Sequence, residues 1–100
     1  MKNQEIIIVR DICKGTFTNA DGIALYCAIL NVLDVSDSII LSFTGIDAVS
    51  SSFLNSSIGN IIDEKGIDVL KSKIKITHYT PSLANEIKKY ITQYSYQSAS

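Results

Sequence analysis

Apolar residues follow two rhythms along this chain. The runs "EIIIV" (Glu5 to Val9) and "SIILSF" (Ser38 to Phe43) are rich in β-branched residues and bounded by polar turns, which predicts two buried strands. "KIKITHY" (Lys73 to Tyr79) alternates lysine and isoleucine with period two, which predicts a third strand with one wet face. Between them the spacing turns helical. In "ADGIALYCAILNVL" (Ala20 to Leu33), Ile23, Cys27, Leu30 and Asp34 fall on one line, and Ala24, Ala28 and Val32 broaden the stripe. Asn19 fits the N-cap and "DVSDS" the exit. Leu54, Ile58, Ile61 and Ile62 form a second helical stripe that fades at "DEKG". "IDVLKSK" reads equally as a short helix or an irregular linker. "TPSLANEIKKYITQY" is the clearest helix, with Thr80 as cap, Pro81 at the first helical position, and Leu83, Ile87, Tyr90, Ile91 and Tyr94 as its buried face. The tail "SYQSAS", from residue 95, is expected to fray.

Strand, helix, strand, helix, strand, helix is the order of an α/β layer with mostly parallel pairing. One domain over residues 1–100, a mixed, mostly parallel sheet with helices packed on it, is the expected fold. Hydrophobic residues at 46% and charged residues at 19% support a packed core rather than disorder. The net charge of −1 provides no basic footprint, so nucleic acid is not an expected partner. No apolar run approaches the length of a bilayer span, and "MKNQEIIIVRD" lacks the character of a signal peptide. A cytoplasmic protein without membrane contact is the expectation. Cys13 and Cys27 lack zinc-site spacing, and Cys27, in an apolar segment, reads as a small core residue. No metal or cofactor is expected.

The stretch "FTGIDAVSSSFLNSSIGNII" concentrates hydroxyls where the chain turns from strand into helix. One serine of Ser50, Ser51 and Ser52 is accounted for as an N-cap, since a side-chain oxygen there accepts from an orphan backbone N–H. Capping does not require three. A phosphate on a hydroxyl at this place would meet free N–H donors and the positive end of the helix dipole, and would bring about −1.5 to −2 charge.

The segment "IILSFTGIDAVSSSFLNSSIG" resembles the central motif of the STAS-like domains of unknown function of bacteria and their phages, in which an apolar strand, a Phe-x-Gly-Val/Ile turn and a Ser-Ser-Phe helix start follow one another. Phe43, Gly45, Ile46, Val49, Ser51, Ser52, Phe53, Leu54 and Gly59 fit it. The likeness extends upstream to "TFTNADGIALY" and downstream to "KIKITHY". That family is similar in turn to the STAS domains of anti-sigma factor antagonists, which are phosphorylated on a serine within Asp-Ser-Ser/Thr-Gly-Leu-Gly. Against that motif Ser50 falls at the Asp, Ser51 and Ser52 at the hydroxyl positions, Phe53 at the first glycine and Leu54 at the leucine. Ser52 matches the phosphoacceptor. The resemblance implies a non-catalytic regulatory domain. Its docking surface would be Ser50, Ser51, Ser52 and Phe53, and its protein partner a histidine-kinase-like ATPase or anti-sigma-like kinase. The alternative is a constitutive scaffold whose serines only cap. The missing carboxylate at Ser50 and the missing glycine at Phe53 depart from the kinase-recognised motif. Asn19 stands where STAS-like relatives often carry arginine, which weakens the case for an anion contact there.

An enzyme would need a nucleophile, a base and an orienter. Ser51 or Ser52, His78, and Asp47 or Asp21 are the available set, but no G-x-S-x-G elbow surrounds these serines, and catalysis is not expected. "KGT" at Lys14 to Thr16 lacks the first glycine and spacing of a phosphate loop. Lys73, Lys75, Lys88 and Lys89 read as solvated faces.

Overall fold

The computed structural model describes residues 3–98, with side chains as far as Gln93. Strand β1 (Gln4–Ile8) leads into a single helical turn, α1 (Val9–Ile12). Helix α2 (Asn19–Leu33), β2 (Ser38–Ser42), α3 (Ser51–Leu54), a π-helical segment (Asn55–Gly59) and α4 (Asn60–Lys65) follow. Helix α5 (Ile67–Lys73), β3 (Ile74–Thr77) and α6 (Pro81–Ser98) complete the order. The segment left open between helix and linker is therefore helical, and the three strands and main helices lie where the sequence pattern puts them.

The strands pair in chain order, β1-β2-β3, and both pairings are parallel. The register sets Ile7 beside Leu41, and Ile39 beside Ile74. Successive parallel steps in one direction, made by crossovers of one hand, carry the helices to one face of the sheet. On that face Ile7, Ile39, Leu41 and Ile74 are buried, and Leu25, Ile29, Phe53, Leu54, Ile58 and Ile61 pack into the same core. The other face is open. Ile6, expected in a strand buried on both sides, is 62% exposed, and Ile8 is exposed as well. Val9, expected to close β1, instead begins α1 and is fully buried.

Helix α2 turns a different face to the core from the one its spacing suggested. Gly22, Leu25, Ile29 and Leu33 are buried, whereas Ile23 is 49% exposed and Cys27 lies on the surface. Apolar residues surround this helix, so periodicity alone does not fix its rotation. Close approach does. A Cβ on Gly22 would lie 2.6 Å from both the Phe53 carbonyl oxygen and Ser56 Cβ, so only glycine lets α2 meet the helix that follows β2. The buried cysteine is Cys13, whose Sγ donates to the Asp21 carbonyl at 3.2 Å. Burial, with Asp21 nearby, pushes its thiol up to about 11.

Helix α6 starts as its sequence predicts, with Leu83 N–H donating to Thr80 Oγ1 at 3.1 Å and Pro81 as its first residue. Leu83 and Ile87 are buried, Tyr90 and Ile91 half-buried, and the expected contribution of the Tyr94 side chain lies outside the described residues. Among the described residues no helix is long and apolar enough to cross a membrane.

Candidate functional site at the start of helix α3

Ser50 is the cap of α3. Its backbone is extended (φ −91, ψ 163), its Oγ accepts from Phe53 N–H at 3.0 Å, and its carbonyl accepts from Leu54 N–H at 3.1 Å. The same Oγ donates to the Phe17 carbonyl at 2.8 Å, so one hydroxyl caps the helix and ties it to the loop before α2. That loop is fastened twice more. Ser50 N–H donates to the Thr16 carbonyl at 3.0 Å, and the buried Thr16 donates its Oγ1 to the Ala48 carbonyl at 2.7 Å. Sequence reasoning missed this pairing, because its partners are more than thirty residues apart and no local spacing announces it.

Once Ser50 has taken the cap, Ser51 and Ser52 occupy the first two helical positions, both exposed. Among the described residues neither hydroxyl has a hydrogen-bond partner. Ser51 lines a cleft of about 200 Å³ against α6, with Glu86, Lys89 and Gln93 on the far wall. Phe53, expected on the docking surface with the serines, is fully buried and anchors the helix in the core. Its ring is absent from the surface because the first turn must place its apolar residues inward, beginning at Phe53 and Leu54.

The two later serines are structural. Ser56 Oγ donates to Asn19 Oδ1 at 2.8 Å, bridging to α2. Asn19, expected as the α2 cap, therefore serves as that acceptor, and the cap is Thr18, which accepts from Asp21 N–H at 3.1 Å. Ser57 is fully buried and donates to the Phe53 carbonyl at 2.7 Å. A hydroxyl that takes the carbonyl four residues back loosens the backbone ladder, and the π-helical segment contains this residue. Tyr90 of α6 donates to Asn55 Oδ1 at 2.6 Å, fastening the terminal helix to the same segment. Burial, with Asp63 nearby, pushes the Tyr90 phenol up to about 12.

His78 stands apart from these serines. It adopts φ 56 at the end of β3, with Nδ1 at 3.1 Å from both Ser42 Oγ and Thr77 Oγ1. The nucleophile and base considered from the sequence are thus not joined by a hydrogen bond.

A three-stranded parallel sheet, helices packed on one face, and a serine-capped helix following the central strand define an α/β domain of STAS-like architecture. The model of the STAS-like domain of unknown function (DUF4325) matches residues 21–84, and the chain belongs to that family. The match runs from the first turn of α2 into the first turn of α6, taking in the whole Ser50–Phe53 region. No curated protein and no solved structure matches the chain.

Proposed function

We propose that this domain is a non-catalytic regulatory module that binds a protein partner through the surface around Ser50, Ser51 and Ser52, and that phosphorylation of Ser51 or Ser52 releases the partner. One observation carries the reading: these two hydroxyls are exposed at a helix start whose cap is already supplied by Ser50. A phosphate could be added without breaking a hydrogen bond of the fold. Its charge would lie beside free N–H groups and the helix dipole, so the domain stays folded while its surface gains negative charge. A histidine-kinase-like ATPase or anti-sigma-like kinase is the partner class the family resemblance suggests. The constitutive scaffold is favoured instead by Ser50 and Phe53, which stand where the anti-sigma antagonist motif has a carboxylate and a glycine.

The test is affinity capture from the source organism with wild type, Ser52→Ala and Ser52→Asp, and the matching Ser51 forms, read by mass spectrometry. A partner held by wild type and alanine forms but lost with an aspartate form supports the switch. Equal capture by all forms leaves the scaffold.

A further inference from the structure

The sheet ends at β3, which has β2 on one side and, among the described residues, no strand on the other. Phe43 N–H donates to the Thr77 carbonyl at 3.0 Å, so Thr77 turns its backbone groups toward β2. The N–H and C=O of one strand residue point to the same side, and the side alternates along the strand. Ile76 therefore directs both groups to the free edge. Ile74 directs its carbonyl there as well, while its N–H donates to the Leu70 carbonyl. The edge is an open backbone template.

The helix face beside this edge is also unfinished. Ile76 pairs with the fully buried Leu41, so its side chain points toward the helices, yet it is only half-buried. A groove of about 270 Å³ lies against it, walled by Tyr79, Ala84, Ile87, Lys88 and Ile91. Its lining is mostly apolar, and its volume, below the range of small-molecule sites, suits side chains rather than a free ligand. Lys88 is the one charged residue among those that line it, and Lys75 stands exposed on the opposite face of β3. Glu86 lines the separate cleft that holds Ser51 and Lys89. A strand added at this edge would meet positive charge on both of its faces.

We propose that the β3 edge takes up an extended segment of a partner protein, apolar and acidic in composition, as an added antiparallel strand. The residue opposite Ile76 exchanges backbone hydrogen bonds with it, and its aliphatic side chain, on the same face, enters the groove. Acidic neighbours meet Lys75 on the open face and Lys88 at the groove. Charge selects such a partner over a second copy, because pairing two β3 edges brings Lys75 and Lys88 of both copies together. The β1 edge of another copy carries Glu5, but its helix-face residue Ile7 is buried in its own core and cannot fill the groove. This edge is separate from the surface around Ser51 and owes nothing to serine phosphorylation.

The experiment is an amide NMR titration of the full chain with the peptide acetyl-Ser-Asp-Glu-Ile-Glu-Val-Ser-amide. Saturable shifts at Ile76, Thr77, Tyr79 and Lys88 are expected, with slower hydrogen exchange at the Ile76 N–H. A peptide with lysine at the acidic positions, and another with alanine at the two apolar ones, should each bind about tenfold more weakly. Lys75→Glu and Lys88→Glu should each weaken binding of the acidic peptide about fivefold. Lys89→Glu, which changes the net charge equally but in the other cleft, should leave it unchanged. These lysines are exposed, and a dispersed spectrum checks that each variant is folded. Absence of saturable shifts with the acidic peptide, equal binding of the three peptides, or undiminished binding by both lysine variants would overturn the proposal. So would protection of the Ile76 N–H that grows with protein concentration in the absence of peptide, since a second copy would then hold the edge.

Discussion

Helices α2 and α3 both begin at a hydroxyl cap, but the caps are wired differently. Thr18 accepts from Asp21 N–H and donates to the Asp21 carboxylate, so the start of α2 is closed within four residues. Ser50 accepts from Phe53 N–H but donates to Phe17, across 33 positions of sequence. The first arrangement can form in an isolated segment. The second exists only when the loop before α2 has docked, so it carries the cost of closing a long loop. It also leaves two hydroxyls unused, at Ser51 and Ser52. A locally closed cap is legible in the residues around it, whereas a cap made by tertiary contact is selected by the distant loop it ties.

The largest expected break in this comparison is Phe53→Ala. It removes a fully buried ring from the first turn of α3 while leaving α2 its own cap. A loss of about 3–5 kcal/mol is expected from urea unfolding. A loss under about 1 kcal/mol would show that the ring is not the anchor of that helix.

Gly22→Ala comes next. In a solvent-facing helix the change would stabilise by up to about 1 kcal/mol. Here the new methyl group would strike a backbone carbonyl and a Cβ at 2.6 Å, neither of which can swing aside. Destabilisation of about 1–3 kcal/mol is expected, so the sign of the change alone decides the matter.

The contact at Gly22 also marks where sequence reasoning failed. Strands, helix order, the Thr80–Pro81 start and the inward direction of Leu54, Ile58 and Ile61 were all legible, because burial on one face imprints a period. The rotation of α2 was not, because Ile23, Leu25, Ile29 and Leu30 satisfy more than one phase and a single glycine chose between them. The open sheet face was missed for a related reason. A run of isoleucines reads as buried on both sides, whereas the β1-β2-β3 order leaves one side uncovered. At the candidate site, the capping function was legible but its owner was not. Three adjacent serines are chemically equal in sequence, and only the loop at Thr16 and Phe17 selects Ser50.

Ser50→Ala should cost about 0.5–2 kcal/mol and speed amide exchange at Phe53. Thr18→Ala should fall toward the lower end of the same range, with its exchange effect confined to the first turn of α2. Ser51→Ala and Ser52→Ala should stay within about 0.5 kcal/mol of wild type, because nothing in the fold uses their hydroxyls. A Ser52→Ala loss as large as that of Ser50→Ala would move the cap to Ser52 and remove the ground for a modifiable surface.

A last comparison separates the two regions by pH. Cys13 donates to the Asp21 carbonyl at the start of α2, and its thiol is raised from 9.0 to about 11 by burial and by the Asp21 charge. Tyr90 holds α6 to the π-helical segment beyond α3, and its phenol is raised from 10.0 to about 12 by burial and by the Asp63 charge. Both groups are neutral when protonated, so the folded chain keeps a proton that the unfolded chain has lost. The stability each contributes is complete below its unfolded pKa and declines as pH rises toward its folded one. Unfolding free energy should therefore begin to fall above pH 9 through Cys13 and fall further from pH 10 to 12 through Tyr90. Tyr90 is half-buried, so screening by water keeps its share small. Cys13→Ala should flatten the decline between pH 9 and 11, and Tyr90→Phe the later part. Each comparison is made as a difference from wild type, so that the titration of other tyrosines and of lysines cancels. If Cys13→Ala leaves the early slope unchanged, the thiol at the start of α2 is not held protonated by its surroundings.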